Sequence, residues 1–285
     1  MSNEYEPPLS QELVRWLLKV IQPDRTLAAL PGGAGFDRQD HARLLGLPAD
    51  VYAAELARMQ EEASAAADEL LADPSVSAMV DGLPLREGAV VVAFGDSLTA
   101  DPQSWAVILG EVLARRRGDD RISLVINAVA GETTTHGLVR IAQAIDAQPD
   151  WMIFLIGTND ARSQGPHAGK TLVAAAETRR NIAELRRRVS RESSTTDIWV
   201  TPPAVDEAMV ARHAGLAGFG VRFRNRDVER VATIIRESGA SVIDAFDAFG
   251  MPPAGALLED DGLHLTVQGQ KRMALEVLRG WSGLA

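Results

Sequence analysis

Apolar positions follow two different periods along the chain. In the first 85 residues they recur three and four apart. Leu13, Trp16, Leu17, Val20 and Ile21 fit the i, i+3, i+4, i+7, i+8 pattern of one buried helical face. Pro23 and then Pro31-Gly32-Gly33 interrupt it. A long Ala-rich helix is expected from about Asp50 to Leu71, with Asp50 as its cap and Tyr52, Leu56, Met59, Ala63, Ala67 and Leu70 as its stripe. Asp73-Pro74 ends it. Residues 1–85 therefore read as an all-helical N-terminal extension that packs on the main domain or on a second copy of the chain. Nothing in it has catalytic spacing, and its helices are the candidate surface for a homo-oligomer.

From residue 86 the pattern changes. Ala89 to Phe94 is a continuous Val-rich run, as in a strand buried on both faces. Trp105, Ile108, Leu109, Val112 and Leu113 return to helical spacing. Strands are then expected at Ile122–Ile126, Trp151–Ile156, Ile198–Thr201 and Ser241–Ile243. Helices fall between and after them, near 134–147, 172–191, 226–238 and 266–280. Alternation of this kind predicts a five-stranded parallel sheet covered on both sides, so residues 86–285 form an α/β domain.

Composition narrows the class. The chain has 285 residues, 46% apolar and 24% charged, with 24 Gly and 14 Pro, which is a globular rather than a low-complexity profile. The net charge of −10 argues against a general nucleic-acid binder, which needs clustered Lys and Arg for phosphates. Arg179, Arg180, Arg186, Arg187, Arg188 and Arg191 do crowd one stretch. Glu177, Glu184 and Glu192 are interleaved with them, as on a solvated helix face. The absence of cysteine removes disulfides, thiolate zinc sites and a Cys nucleophile. The acidic start lacks a signal-peptide pattern, and no apolar run approaches a membrane span. A soluble, cytoplasmic protein is expected.

In parallel sheets, ligands bind beyond the carboxyl ends of the strands. Four segments fall there: Gly95-Asp96-Ser97-Leu98-Thr99, Asn127 through Thr133, Gly157-Thr158-Asn159-Asp160 and Asp260-Asp261-Gly262-Leu263-His264. Each alone is ordinary. A Ser after a strand caps a helix, Gly131 turns a chain, and Asn159 can hold a loop. Among the five histidines (His41, His136, His167, His213 and His264), only His264 has a carboxylate three positions before it. Together the segments meet the needs of acyl transfer. Ser97 supplies a hydroxyl nucleophile and His264 a base, with Asp261 to fix the imidazole tautomer. The Ser97 and Gly131 N–H groups and the Asn159 amide supply three donors for an oxyanion.

These four blocks resemble those of the GDSL, or SGNH, hydrolase family over about residues 89–281. The second block, Asn127 through Gly137-Leu138, also resembles the bacterial thioesterase and lysophospholipase branch. Thr201-Pro202-Pro203 is similar to a further family segment. The resemblance implies a flavodoxin-like three-layer α/β/α sandwich that needs no metal or other cofactor. It implies a catalytic Ser97, Asp261 and His264, an oxyanion hole from Ser97, Gly131 and Asn159, and a small-molecule acyl ester as substrate. Members hydrolyse esters, thioesters, lysophospholipids or acetylated sugars, and some transfer acyl groups to alcohols. The nucleophile block usually opens the chain; here about 90 residues precede it.

Other classes fit less well. An α/β-hydrolase elbow needs Gly-x-Ser-x-Gly, and Thr99 occupies the last glycine position. A phosphate-binding loop would need a Gly-rich, Lys-bearing cradle, and no second carboxylate stands beside Asp96 to hold Mg²⁺. A binding protein on the hydrolase fold without turnover stays open, as do a carbohydrate O-deacetylase and an acyltransferase. Segments 161–171 and 204–224 are the candidate specificity loops, or else plain connections. Arg162, His167, His213 and Arg222 are their candidate substrate contacts.

Overall fold

A computed structural model describes residues 10–28, 33–165, 167–192 and 194–284. The acidic start, the Pro31-Gly32 break and Pro166 lie outside the described residues. In chain order the strands are β1 (Val90–Gly95), β2 (Ser123–Ala128), β3 (Trp151–Leu155), β4 (Ser163–Gln164), β5 (Thr196–Val200), β6 (Val221–Arg222) and β7 (Ser241–Ile243). Five of them form a parallel sheet in the order β2-β1-β3-β5-β7, the flavodoxin-like arrangement. The outer strands start or end within two residues of their expected bounds. The short pair β4–β6 was not expected. It joins the two candidate specificity loops antiparallel, with Ser163 opposite Arg222 and Gln164 opposite Val221.

The helices are α1 (Gln11–Ile21), α2 (Pro23–Ala28), α3 (Arg38–Leu44), α4 (Ala49–Leu71), α5 (Pro74–Asp81), α6 (Ser97–Ala100), α7 (Trp105–Arg116), α8 (Thr134–Asp146), α9 (Ala175–Glu192), α10 (Glu207–Arg212), α11 (Ala214–Ala217), α12 (Asn225–Arg236), α13 (Ala245–Phe249) and α14 (Val267–Ser282). Side chains alternate across the sheet because the strand period is two. Val91, Ala93, Ile153, Leu155, Ile198 and Val200 face α7 and α14. Val92, Phe94, Met152, Phe154 and Trp199 face α8, α9 and α12. This is the expected α/β/α sandwich. Five of the six arginines of α9 are drawn into ion pairs: Arg180 with Glu177, Arg187 and Arg188 with Glu184, Arg186 with Asp197 and Arg179 with Glu237.

The N-terminal region is helical, as expected. Helix α4 crosses α7 and α14, and Ala63, Ala66, Ala67 and Leu70 join the same apolar cluster as β1 and α14. Of its expected stripe, Tyr52, Met59, Ala63, Ala67 and Leu70 are buried and Leu56 half-buried, but Pro48 and not Asp50 stands at the N-cap, with Asp50 inside the first turn. Helix α1 differs from its expected face. Val14, Leu18 and Lys19 are the buried residues, while Leu13 and Ile21 stay 41% and 36% exposed. The helix is rotated because its polar side chains have partners below it, which an apolar count does not see.

Candidate active site

Ser97 opens α6 directly after β1. The turn is tight: a Cβ on Gly95 would lie 2.3 Å from Thr99 Oγ1 and 2.5 Å from the Leu155 carbonyl, so only glycine fits. Asp96 caps α6 by accepting the Leu98 N–H at 3.1 Å. Burial pushes the Asp96 carboxyl up to about 7, against the pull of that N–H. Helix α14 braces this turn. The Gln270 amide donates to the Leu98 carbonyl at 3.2 Å and accepts the Trp105 N–H at 2.8 Å.

Asp261 and His264 lie on the loop before α14. Asp261 Oδ1 accepts the backbone N–H groups of Leu263 and His264, both at 2.9 Å. Asp261 Oδ2 lies 2.6 Å from His264 Nδ1, and His264 Nε2 lies 3.1 Å from Ser97 Oγ. With Nδ1 donating to the carboxylate, Nε2 faces the hydroxyl with its lone pair. Burial disfavours the imidazolium, but the charge and hydrogen bond of Asp261 outweigh it and the His264 pKa is raised. Burial would likewise raise the Asp261 carboxyl, yet His264 and the two backbone donors hold it well below the usual carboxylate range.

The candidate oxyanion donors Gly131 and Asn159 lie beyond two further strand ends. Gly131 sits in the loop after β2 with φ +77°. Arg140 holds this loop. It pairs with Glu132, bonds Asn127 and donates to the Gly95 carbonyl at 3.3 Å, with its guanidinium 4.7 Å above the Phe94 ring. Asn159 lies in the 3₁₀ turn after β3. Asp160 anchors that turn by accepting the Thr134 N–H at 2.8 Å and the Thr134 and Thr178 hydroxyls at 2.6 and 2.7 Å. One N–H of the Asn159 amide donates to the Glu132 carbonyl at 3.0 Å, so each donor loop steadies the other.

Ser97, Gly131, Asn159 and His264 line one cavity of about 170 Å³, with Val20, Ala130, Arg162, Leu216, Val221, Phe223 and Leu263. Of the four expected substrate contacts, Arg162 alone reaches it. Its half-buried guanidinium rests on Gln164 Oε1 at 2.6 and 3.0 Å, and burial lowers its pKa. His213 lies in a neighbouring groove, its ring 5.2 Å from that of Trp16. His167 and Arg222 are exposed and do not line the cavity. The β4–β6 pair explains the split, since it turns Val221 and Phe223 inward and leaves Arg222 outside.

Three residues that the sequence does not mark as site residues, Trp16 among them only as part of an apolar face, reach the same place from α1 and its end. Trp16 Nε1 lies 3.4 Å from Asp261 Oδ2, Lys19 Nζ donates to the Leu265 carbonyl at 3.0 Å, and Gln22 Nε2 donates to the Ser97 carbonyl at 3.2 Å. The only trace in the sequence is that Trp16, Lys19 and Gln22 recur three apart and so share a face.

A hydroxyl, an imidazole and a carboxylate in hydrogen-bonded series beyond the carboxyl ends of such a sheet are the equipment of an α/β ester hydrolase. Comparison with known proteins gives the family. Residues 93–272 match the GDSL-like Lipase/Acylhydrolase family. The chain is 28% identical over 207 residues to the GDSL esterase/lipase CPRD49 of Arabidopsis thaliana, covering 66% of this chain and 77% of that one. It shares its fold with a lipase/acylhydrolase from Enterococcus faecalis (TM-score 0.54, 22% identity, 69% of this chain and 96% of that one). An acetylxylan esterase from Geobacillus stearothermophilus, solved as a catalytic mutant, is similar to the same degree (TM-score 0.56, 17% identity, 69% of this chain and 95% of that one). The chain belongs to the GDSL-like lipase/acylhydrolase family and is a carboxylic ester hydrolase. No helix among the described residues is long and apolar enough to cross a membrane.

Proposed function

We propose that the protein cleaves small acyl esters through an acyl-enzyme on Ser97. The observation that carries this reading is the unbroken series Asp261 Oδ2, His264, Ser97 Oγ, at 2.6 and 3.1 Å, opening on a cavity lined by Gly131 and Asn159. Ser97 Oγ attacks the acyl carbon as its proton passes to His264 Nε2. The carbonyl oxygen becomes an oxyanion, for which the Ser97 and Gly131 N–H groups and the second N–H of the Asn159 amide are the donors. The intermediate collapses, the C–O bond to the alcohol breaks, and His264 returns the proton to the leaving oxygen. Water, deprotonated by His264, then repeats the sequence on the acyl-enzyme and frees the acid. Asp261 stays ionised throughout, in keeping with its lowered pKa.

The size of the cavity supports a short acyl group. Val20, Leu216, Val221, Phe223 and Leu263 give it an apolar wall, and a volume of about 170 Å³ suits a short acyl group. Arg162 is placed to meet a polar or anionic part of the substrate. An acetyl ester of a sugar fits these dimensions, and the likeness to an acetylxylan esterase supports that second reading. The test is release of p-nitrophenol from acetyl, butyryl, octanoyl and palmitoyl esters, with Ser97→Ala alongside. Turnover greatest on acetyl or butyryl and lost in the variant is expected. An optimum at palmitoyl would refute the short acyl group, and turnover retained in Ser97→Ala would remove Ser97 as nucleophile.

A further inference from the structure

Helix α1 lies outside residues 93–272, the part matched to the family, yet it meets both halves of the site. Lys19 is 2% exposed, with Nζ 3.2 Å from Asp101 Oδ2 and 2.8 Å from Glu259 Oε1. The same ammonium donates to the Leu265 carbonyl at 3.0 Å and to Gln103 Oε1 at 3.4 Å. Asp101 and Gln103 follow Ser97 along the chain, whereas Glu259 and Leu265 flank Asp261 and His264. Gln22 holds the Ser97 carbonyl, and Trp16 approaches Asp261 Oδ2, the oxygen bonded to His264.

We infer that α1 is a positioning element of the active site, in which Lys19 ties the segment carrying Ser97 to the segment carrying Asp261 and His264. A lysine is taken out of water only where carboxylates repay its lost hydration. Here burial alone would lower the Lys19 pKa, and Asp101 and Glu259 together raise it, so the ammonium stays charged inside the protein. Lys19 is the centre of this tie, because its removal leaves the buried Asp101 with no cation beside it. The tie spans the gap across which Ser97 Oγ and His264 Nε2 must meet, and small errors in that gap are costly in rate. It also sets the field at the imidazole. The charged groups that act on His264 are Asp261 and Asp101, which favour its protonated form, and Lys19, which opposes it. Asp96 also interacts with it electrostatically, and Glu259, whose N–H donates to the His264 carbonyl at 2.8 Å, is paired with Lys19.

The inference rests on the proposed roles of Ser97 and His264, so its test reads turnover and the state of His264 separately. Lys19→Met in the full chain is expected to lower kcat on p-nitrophenyl acetate about tenfold or more, with KM within about threefold of wild type. With Asp101 left uncompensated, the acid limb of kcat/KM and the NMR titration of the His264 imidazole should both move to higher pH by about one unit. Lys19→Met with Asp101→Asn removes both charges. In that variant the His264 titration should return toward the wild-type midpoint while kcat stays low, because the tie is still missing. This double variant also serves where Lys19→Met alone does not fold. Wild-type kcat in either variant, or an unmoved His264 midpoint in Lys19→Met, overturns the inference even if the melting temperature falls. Absence of ester turnover in wild type, with the His264 titration still shifted by Lys19→Met, would sink the esterase reading and leave the coupling standing.

Discussion

Helices α1 and α4 both precede the sheet in the chain, and they are used in different ways. Helix α4 buries Ala63, Ala66, Ala67 and Leu70 against one side of the sandwich and Tyr52 and Met59 against Val14 and Leu18 of α1, with Glu55 its one buried charge, paired to Arg15 and Arg58. Helix α1 is half its length and buries a lysine. Its polar groups end on Asp101, Glu259, the Leu265 carbonyl and, through Gln22, the Ser97 carbonyl. The two helices are joined by Arg15, which pairs with Glu62 of α4 at 2.6 Å and donates to Gln103 at 3.0 Å. Helix α4 is thus a platform, and α1 is the part of the extension that faces the chemistry. Apolar burial is tolerant of substitution and mainly stabilises, whereas a buried charge is worth its desolvation only with fixed partners in fixed places.

That contrast can be sharpened from the largest effect downward. Ser97→Ala is expected to reduce kcat at least ~10⁴-fold with an unchanged circular dichroism spectrum; it sets the scale against which α1 and α4 variants are judged. Asn159→Ala should cost about 10²–10³ in kcat, the usual loss for one oxyanion donor. A change confined to KM would make Asn159 a ground-state contact instead. Leu70→Ala in α4 should lower stability by roughly 2–5 kcal/mol in urea unfolding while kcat of the folded protein stays within about twofold. A larger loss of kcat would put α4 in the same class as α1.

The pH dependence is the subtlest of these effects. The base must be neutral, and Asp261 raises the His264 pKa above its ordinary 6.5, so kcat/KM should fall on acidification with a midpoint above that value. Asp261→Asn should bring the midpoint down as well as lowering the rate. A midpoint that stays put in Asp261→Asn would assign the raised pKa to other neighbours, Asp101 first among them.

Much of the site was legible because its parts sit at strand ends. A strand run of six apolar residues followed by Gly95-Asp96-Ser97 announces both the strand and what emerges from it. The spacing of Asp261 and His264 brings carboxylate and imidazole to 2.6 Å within a single loop. The substrate contacts were harder to read. Arg162, Arg222 and His167 have similar local sequence credentials, and the two-residue pair β4–β6 decides that the first faces the cavity and the second does not. Such a short pairing leaves no periodic signature. The face of α1 was misread for a related reason. Counting Leu13 and Ile21 as core assumes that a helix buries its apolar side, and here partners 246 residues from Lys19 and 75 residues from Gln22 set the rotation.

The sequence by itself determined the sheet, its order of elements, the hydroxyl, imidazole and carboxylate, and the family to which they belong. These follow from local periodicity and from motifs whose members lie within a few residues of one another. Only the tertiary structure decided which residues wall the cavity, how large it is, and that a helix near the start of the chain closes on Ser97 and His264. Those features depend on contacts between segments far apart in the chain, and on the cost of burying charge, which is fixed by where the partners are rather than by which residues are adjacent.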